Sequence, residues 1–289
     1  MSTAVVTGSS GDLGEWVVGR LARSGWEVRC LDHSQPADET HENVTVVETD
    51  LTDQGETLGA VLDADPDAVV HLAAVGPYYY APSRVYANNT LAAYHALVAA
   101  CEAGADVVWT SSESIYGWVF ADEQYPPDSL PVRVDHPCRP EDQYGVSKEA
   151  AEATARMVAR RYDVPVTTIR PSWIQHPGAY ECTAADGEDV VNNFWSYVDV
   201  RDVVRLVERA LDSPPDGEET VQAVADENYL GRPTRELFEE TYGSVPSPCE
   251  LEGTESALSN ARAAEVFDWT PGYSYTDDAE DDVGPWDDW

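Results

Sequence analysis

Lysine is almost absent from the sequence: of its 17 basic residues only Lys148 is a lysine, and 54 acidic residues bring the formal charge to −37. So few cations exclude a surface that holds phosphate backbones or anionic lipid, so neither a nucleic-acid nor a membrane partner is expected. Long apolar runs are missing, as is a basic N-terminal stretch. No membrane span or secretion signal is therefore readable, and a cytoplasmic setting is expected. The five cysteines, Cys30, Cys101, Cys138, Cys182 and Cys249, are odd in number, scattered, and form no CxxC pair. Structural thiols in a reducing compartment follow, with no metal site.

What is present argues for a folded protein. Hydrophobic residues make up 43% of the chain and aromatics 10%, so the acidity reads as a solvated shell rather than as disorder. The shell resembles that of halophilic proteins, because in molar salt the Debye length falls to about 3 Å and self-repulsion is screened. A single lysine, where arginine serves everywhere else, points to chemistry that needs a compact ammonium rather than a planar guanidinium.

Short β-branched runs alternate with helix-length amphipathic segments: TAVVTG, then 15–24; EVRCLD; VTVVETD, then 54–64; AVVHLAA, then 83–103; DVVWTSS; a helix over 144–161; and VTTIR. This alternation predicts an α/β fold, a Rossmann-like doubly wound parallel sheet of six or seven strands covered on both faces. Residues 1–170 form the expected cofactor-binding core. Residues 171–275 form a small C-terminal substrate lobe interleaved with the last core elements: a strand-like SYVDV, a helix over 201–211, the strand TVQAVA and helices near Arg235 and Ala261. Residues 276–289 read as an acidic tail with a mobile end.

VVTGSSGDLG places Gly8, Gly11 and Gly14 between the first strand and the first helix, where backbone amides can approach a pyrophosphate. Asp12 and Leu13 fall within the same loop. Asp32 ends the second strand, placed to accept from ribose hydroxyls and to repel the extra phosphate of NADP, with no cation at His33 or Ser34 to replace it. NAD is therefore the expected cofactor. Asp50 and Leu51, at the end of the third strand, suit an adenine edge; Asp50 or Asp53 serves equally well as a helix cap. Tyr144 and Lys148, four residues apart at a helix start, share a face. An ammonium beside a phenol lowers the tyrosine pKa from about 10 and makes it a usable base near neutrality. Upstream, DVVWT runs into the hydroxyls of Ser111, Ser112 and Ser114.

VTGSSGDLG, TDLTD, HLAA, TSSESIYG, YGVSK, IRPS and YVDVRD occur in the order and spacing of the extended short-chain dehydrogenase/reductases of the NAD-dependent epimerase/dehydratase family, which the chain resembles to about Asp202. ARAAEVFDWTP is similar to that family's closing helix. The resemblance implies Ser112, Tyr144 and Lys148 as the catalytic set, with Ser112 polarising the substrate oxygen. It implies cofactor contacts at Ala73, Lys148, Pro171 and Ser172 besides those above. It also implies a homodimer through the helices at 83–103 and 144–161.

The resemblance leaves the reaction open. Dehydratases of the family carry an Asp-Glu pair after the Ser/Thr; Glu113 and Ser114 stand here, so the second carboxylate is missing. Nucleotide-sugar epimerases often place an arginine before YVDVRD, where this chain has Asn193, Phe194, Trp195 and Ser196. The stretch 171–194 carries Glu181, Asp186, Glu188 and Asp189 and no basic residue after Arg170. Epimerisation of a nucleotide sugar and oxidation of a free sugar or uronate stand side by side, and a non-catalytic NAD-binding regulator is the rival class. Ser112, Glu113, Tyr80 and Trp195 are the candidate substrate contacts. Tyr78, Tyr79 and Tyr80 suit a sugar-stacking lid or simple packing, and His71 suits a buried hydrogen-bonded position. Arg84, Arg139, Arg201 and Arg232 have no place in the pattern.

Overall fold

The computed structural model describes residues 2–33, 41–183, 192–276 and 283–289. Ser34, Asp186, Glu188, Asp189 and the start of the acidic tail lie outside the described residues. Six parallel strands, β1 (Thr3–Thr7), β2 (Glu27–Asp32), β3 (Val44–Glu48), β4 (Ala68–His71), β5 (Asp106–Thr110) and β6 (Val166–Pro171), come from the expected runs. Two short strands, β7 (Ile174–Gln175) and β8 (Val198–Asp199), pair only with each other, and β9 (Glu218–Ala223) joins β6. The main sheet therefore has seven strands in the order β3-β2-β1-β4-β5-β6-β9. Both flanks of β1 are filled, by β2 and β4, so the chain reverses its winding there. Parallel sheets of this kind leave a crevice outside the strand C-termini at that switch point.

Helices α1 (Asp12–Arg23), α2 (Gln54–Ala64), α3 (Pro82–Ala103), α4 (Gln143–Tyr162), α5 (Val200–Asp212), α6 (Thr234–Tyr242) and α7 (Ala261–Phe267) complete the layers. On one face α1 and α5 pack Leu21 and Val203 against Val6 and Val70; on the other α3 and α4 pack Leu97 and Ala155 against Val69 and Val107. All four residues of β4 and all six of β6 are buried, which explains why both are apolar or β-branched up to His71 and Arg170 near their C-terminal ends. A third cluster, holding Tyr116, Trp118, Phe194 and Phe238, forms a lobe beyond the sheet.

Two expectations change. SYVDV is not a full strand: Asp199 accepts from the Arg201 backbone N–H at 2.8 Å and caps α5, so the extended segment ends at that residue. Of the tail, residues 283–289 are docked rather than loose, because Val283, Trp286 and Trp289 pack on the α1 side of the core. No helix among the described residues is long and apolar enough to cross a membrane.

Candidate active site

Gly8 leaves β1 with φ +70°, and a Cβ there would stand 2.6 Å from the Ala73 backbone, so a glycine lets the loop lie against the end of β4. Gly14 packs as tightly, its absent Cβ 2.0 Å from the Gly8 carbonyl oxygen. Gly11 caps α1 with no side chain on the first-turn amides, which leaves those donors open to an anion. Asp32 accepts from the Ser10 N–H at 3.0 Å and pairs with His33 at 3.0 Å. Gly8, Gly11, Asp32, Asp50, Leu51 and Ala73 line one cavity of about 280 Å³. The shape and donor set of this cradle fit a dinucleotide.

Within that region several side chains resolve. Asp53 is the cap of α2, accepting from Gly55 and Glu56, while Asp50 folds its own turn by accepting from Thr52 N–H and Oγ1 at 2.8 and 2.6 Å. The Leu13 side chain packs on the core. Tyr80, expected on the substrate side, lies instead in the cofactor cavity, where the Arg84 guanidinium sits 4.0 Å over its ring; Tyr78 reaches the catalytic cleft in its place. His71 is buried and hydrogen-bonded to Thr7 at 2.7 Å, and burial pushes its pKa down to about 3, so the ring is a neutral structural group.

Asp142 caps α4, accepting from Tyr144 and Gly145 at 2.7 and 3.0 Å, and so aims the first turn. The Lys148 Nζ donates to the Thr110 carbonyl at the end of β5 at 2.7 Å and lies 5.5 Å from the Tyr144 ring centre. Burial lowers its pKa to about 8 against the pull of Glu152. Burial also pushes the Tyr144 phenol up to about 12, with the Ser112 hydrogen bond opposing. The phenol of the free chain is therefore not the near-neutral base expected from the spacing: Lys148 is engaged by the Thr110 carbonyl, and desolvation of the ring dominates.

Ser112 opens the 3-10 turn Glu113–Tyr116, accepting from the Ser114 N–H at 3.1 Å. Glu113 is buried behind it, accepting from Ser172 Oγ at 3.0 Å and Asn193 Nδ2 at 3.4 Å, and burial raises its pKa to about 8. Ser112, Glu113, Tyr144, Pro171 and Ser172 line a cleft of about 1260 Å³ whose other walls include Asp12, Glu15 and Trp16 of α1, Glu181, and Val283 to Pro285. Trp195, expected on the substrate, is buried against Phe238 in the lobe core, with ring centres 5.6 Å apart. Below the cleft, Arg170 forks onto Glu152 with two 2.8 Å bonds and donates to Tyr116 Oη at 2.9 Å; Ser111 donates to the same Glu152 at 2.8 Å. Asn193, Trp16 and this Glu152–Arg170 pair carry no local motif, and only the tertiary fold brings them to the site.

The model of the NAD dependent epimerase/dehydratase family matches residues 4–224. The chain belongs to this family. It is an NAD-dependent enzyme of the extended short-chain type. It is 28% identical to a UDP-glucose 4-epimerase of Mycolicibacterium smegmatis over 92% of this chain and 93% of that one. It is 31% identical to an L-arabinose 1-dehydrogenase (NAD(P)+) of Haloferax volcanii over 60% of this chain and 68% of the relative. Among solved structures, a UDP-glucose 4-epimerase of Thermotoga maritima superposes with a TM-score of 0.72 at 21% identity, covering 96% of each chain.

Proposed function

We propose that this family member oxidises a hydroxyl of a free, uncharged sugar. The observation that carries the reading is the charge of the cleft: the carboxylates of Asp12, Glu15 and Glu181 line it, and among the described residues no lysine or arginine does. The neighbouring stretch 184–191 holds no basic residue in sequence either. A sugar diphosphate or a uronate carboxylate entering here meets like charge with no fork to clamp it. The arginines without a place in the pattern serve elsewhere: Arg139 pairs with Asp128, Arg201 with Asp199 and Arg232 with Glu240, and Arg84 faces the cofactor cavity. Similarity to the arabinose dehydrogenase supports the same reading; similarity to the epimerase over nearly the whole chain supports nucleotide-sugar epimerisation as the second one.

In this reading the Gly8–Gly14 loop would hold NAD, which when bound would supply the acceptor for the hydride leaving the carbinol carbon. Asp32 would accept from the ribose hydroxyls of NAD, and the first-turn amides of α1 would hold its pyrophosphate. Ser112 holds the substrate oxygen, Tyr144 receives the hydroxyl proton, and Lys148 fixes the end of β5 against α4. Tyr144 is protonated at neutral pH in the free chain, so positive charge brought beside it promotes proton acceptance, and the oxidation rate rises toward alkaline pH. The enzyme is further read as a cytoplasmic, halophilic homodimer. Tyr86, Leu91 and Tyr94 on α3 and Val146 on α4 are exposed and supply apolar surface for such a pairing.

The test is a panel of free aldoses, uronates and UDP-hexoses, followed in high salt for NADH formation and for epimerised product. The reading expects NADH from an aldose, and Tyr144→Phe to lower that rate about 10²-fold or more while leaving NAD affinity unchanged. Epimerised UDP-hexose without NADH release replaces it with the second reading; retained activity in Tyr144→Phe removes the proposed proton path.

A further inference from the structure

Residues Val283–Trp289 cross α1 beside the cleft and are fixed there at several points. The Trp289 ring centre lies 5.6 Å from that of Trp16, with the Arg20 and Arg23 guanidinium carbons 5.2 and 5.7 Å from it. Trp286 stacks on His41 at 6.2 Å with 4° between planes, and Arg23 Nη1 donates to the Pro285 carbonyl at 3.1 Å. At the crossing α1 carries Gly19, where a Cβ would stand 2.1 Å from the Pro285 oxygen. Any other residue there lifts the segment off the helix.

The near end of the segment reaches the chemistry. Val283, Gly284 and Pro285 line the same cleft as Tyr144 and Ser112, together with Asp12, Glu15 and Trp16 from the opening turns of α1. Those turns are where the open amides await an anion. We propose that Val283–Trp289 is a cofactor-retaining strap: docked on α1, it walls the path between the pyrophosphate end and the nicotinamide end of the site and slows escape of the dinucleotide. The inference rests on the reading that NAD occupies the Gly8–Gly14 loop. Release of the strap gives up the aromatic and cation–π contacts together.

Three variants of the 289-residue chain test this: one stopped after Asp282, one carrying Gly19→Val, which keeps the segment but blocks the crossing, and one carrying Trp289→Ala, which loosens the anchor without loading the helix. Dissociation of NADH is followed by stopped-flow displacement, with equilibrium affinity and melting temperature measured in the same salt. All three variants are expected to release NADH about tenfold faster than the parent while binding at a similar association rate. If Gly19→Val fails to fold, the other two carry the result. NADH binding to every protein with dissociation rates within about twofold overturns the strap alone. Failure of the parent chain to bind NADH overturns the cofactor-site reading beneath it.

Discussion

Glu113 sits one residue beyond the Ser112 hydroxyl, unpaired with any cation among the described residues and held by Ser172, Asn193 and the Trp173 amide. Burial raises its pKa from 4.5 to about 8, so the folded protein keeps the proton that the unfolded chain has already lost. Stability from this carboxyl is therefore fully present below about pH 4.5 and is lost as the pH rises through about 8. Glu113→Gln keeps the shape and removes the titration. Melting curves of the two proteins are expected to converge near pH 5 and to separate in favour of the variant up to about pH 8, then run parallel. A constant gap across that range contradicts the protonated state. The sequence identifies Glu113 as the lone carboxylate after the Ser/Thr position, but its neutrality comes from burial in the folded chain, which the hydrogen bonds from Ser172 and Asn193, 59 and 80 residues away in the chain, only partly oppose.

α4 presents Tyr144, Lys148 and Glu152 at four-residue intervals, one stripe that runs from the cleft to the sheet interior. Tyr144 faces the cleft, Lys148 holds the end of β5, and Glu152 holds Arg170 from β6 and Ser111 from the end of β5. Glu152 and Arg170 are both buried. Arg170→Met leaves the buried Glu152 carboxylate with only the longer 3.4 Å contact of the part-exposed Arg156 and is expected to cost up to about 3 kcal/mol in denaturant unfolding. Arg170→Met with Glu152→Gln together is expected to recover part of that loss, because the stranded charge is gone; no recovery contradicts the ion-pair account. The Tyr144–Lys148 spacing and its helix are readable from the sequence, because both lie within one local period. The partner of Glu152 is not: an arginine closing the strand VTTIR looks like a solvent-facing strand end until the lobe covers it with Tyr116 and Val134.

Taken whole, the molecule carries 54 acidic groups against 17 basic ones, and many of the arginines are already paired within the chain, as in Arg20–Glu208 and Arg262–Glu219. The excess negative charge repels itself in dilute buffer and is screened within about 3 Å in molar salt, so the melting temperature is expected to climb steeply from low salt to molar KCl. A flat profile, measured by calorimetry across that range, contradicts self-repulsion as the limiting term. The alternation of apolar runs makes the first six strands readable in advance: β4, β5 and β6 announce themselves as buried runs, and β3, mostly exposed at the sheet edge, as a β-branched one. β7 and the docking of 283–289 are not readable, because two residues are too few for a period and acidic side chains conceal the anchoring tryptophans. The proposed proton-handling groups all hang on β5, the turn after it and the start of α4, whereas the walls of the cleft are lent by separate stretches, around Pro77 and Tyr78, from Trp173 to Glu181, and at Val283 to Pro285. Chemistry and substrate choice thus reside in different parts of the polypeptide. Over evolutionary time, or in a laboratory library, the wall stretches can be rewritten one at a time while the reaction itself is inherited intact.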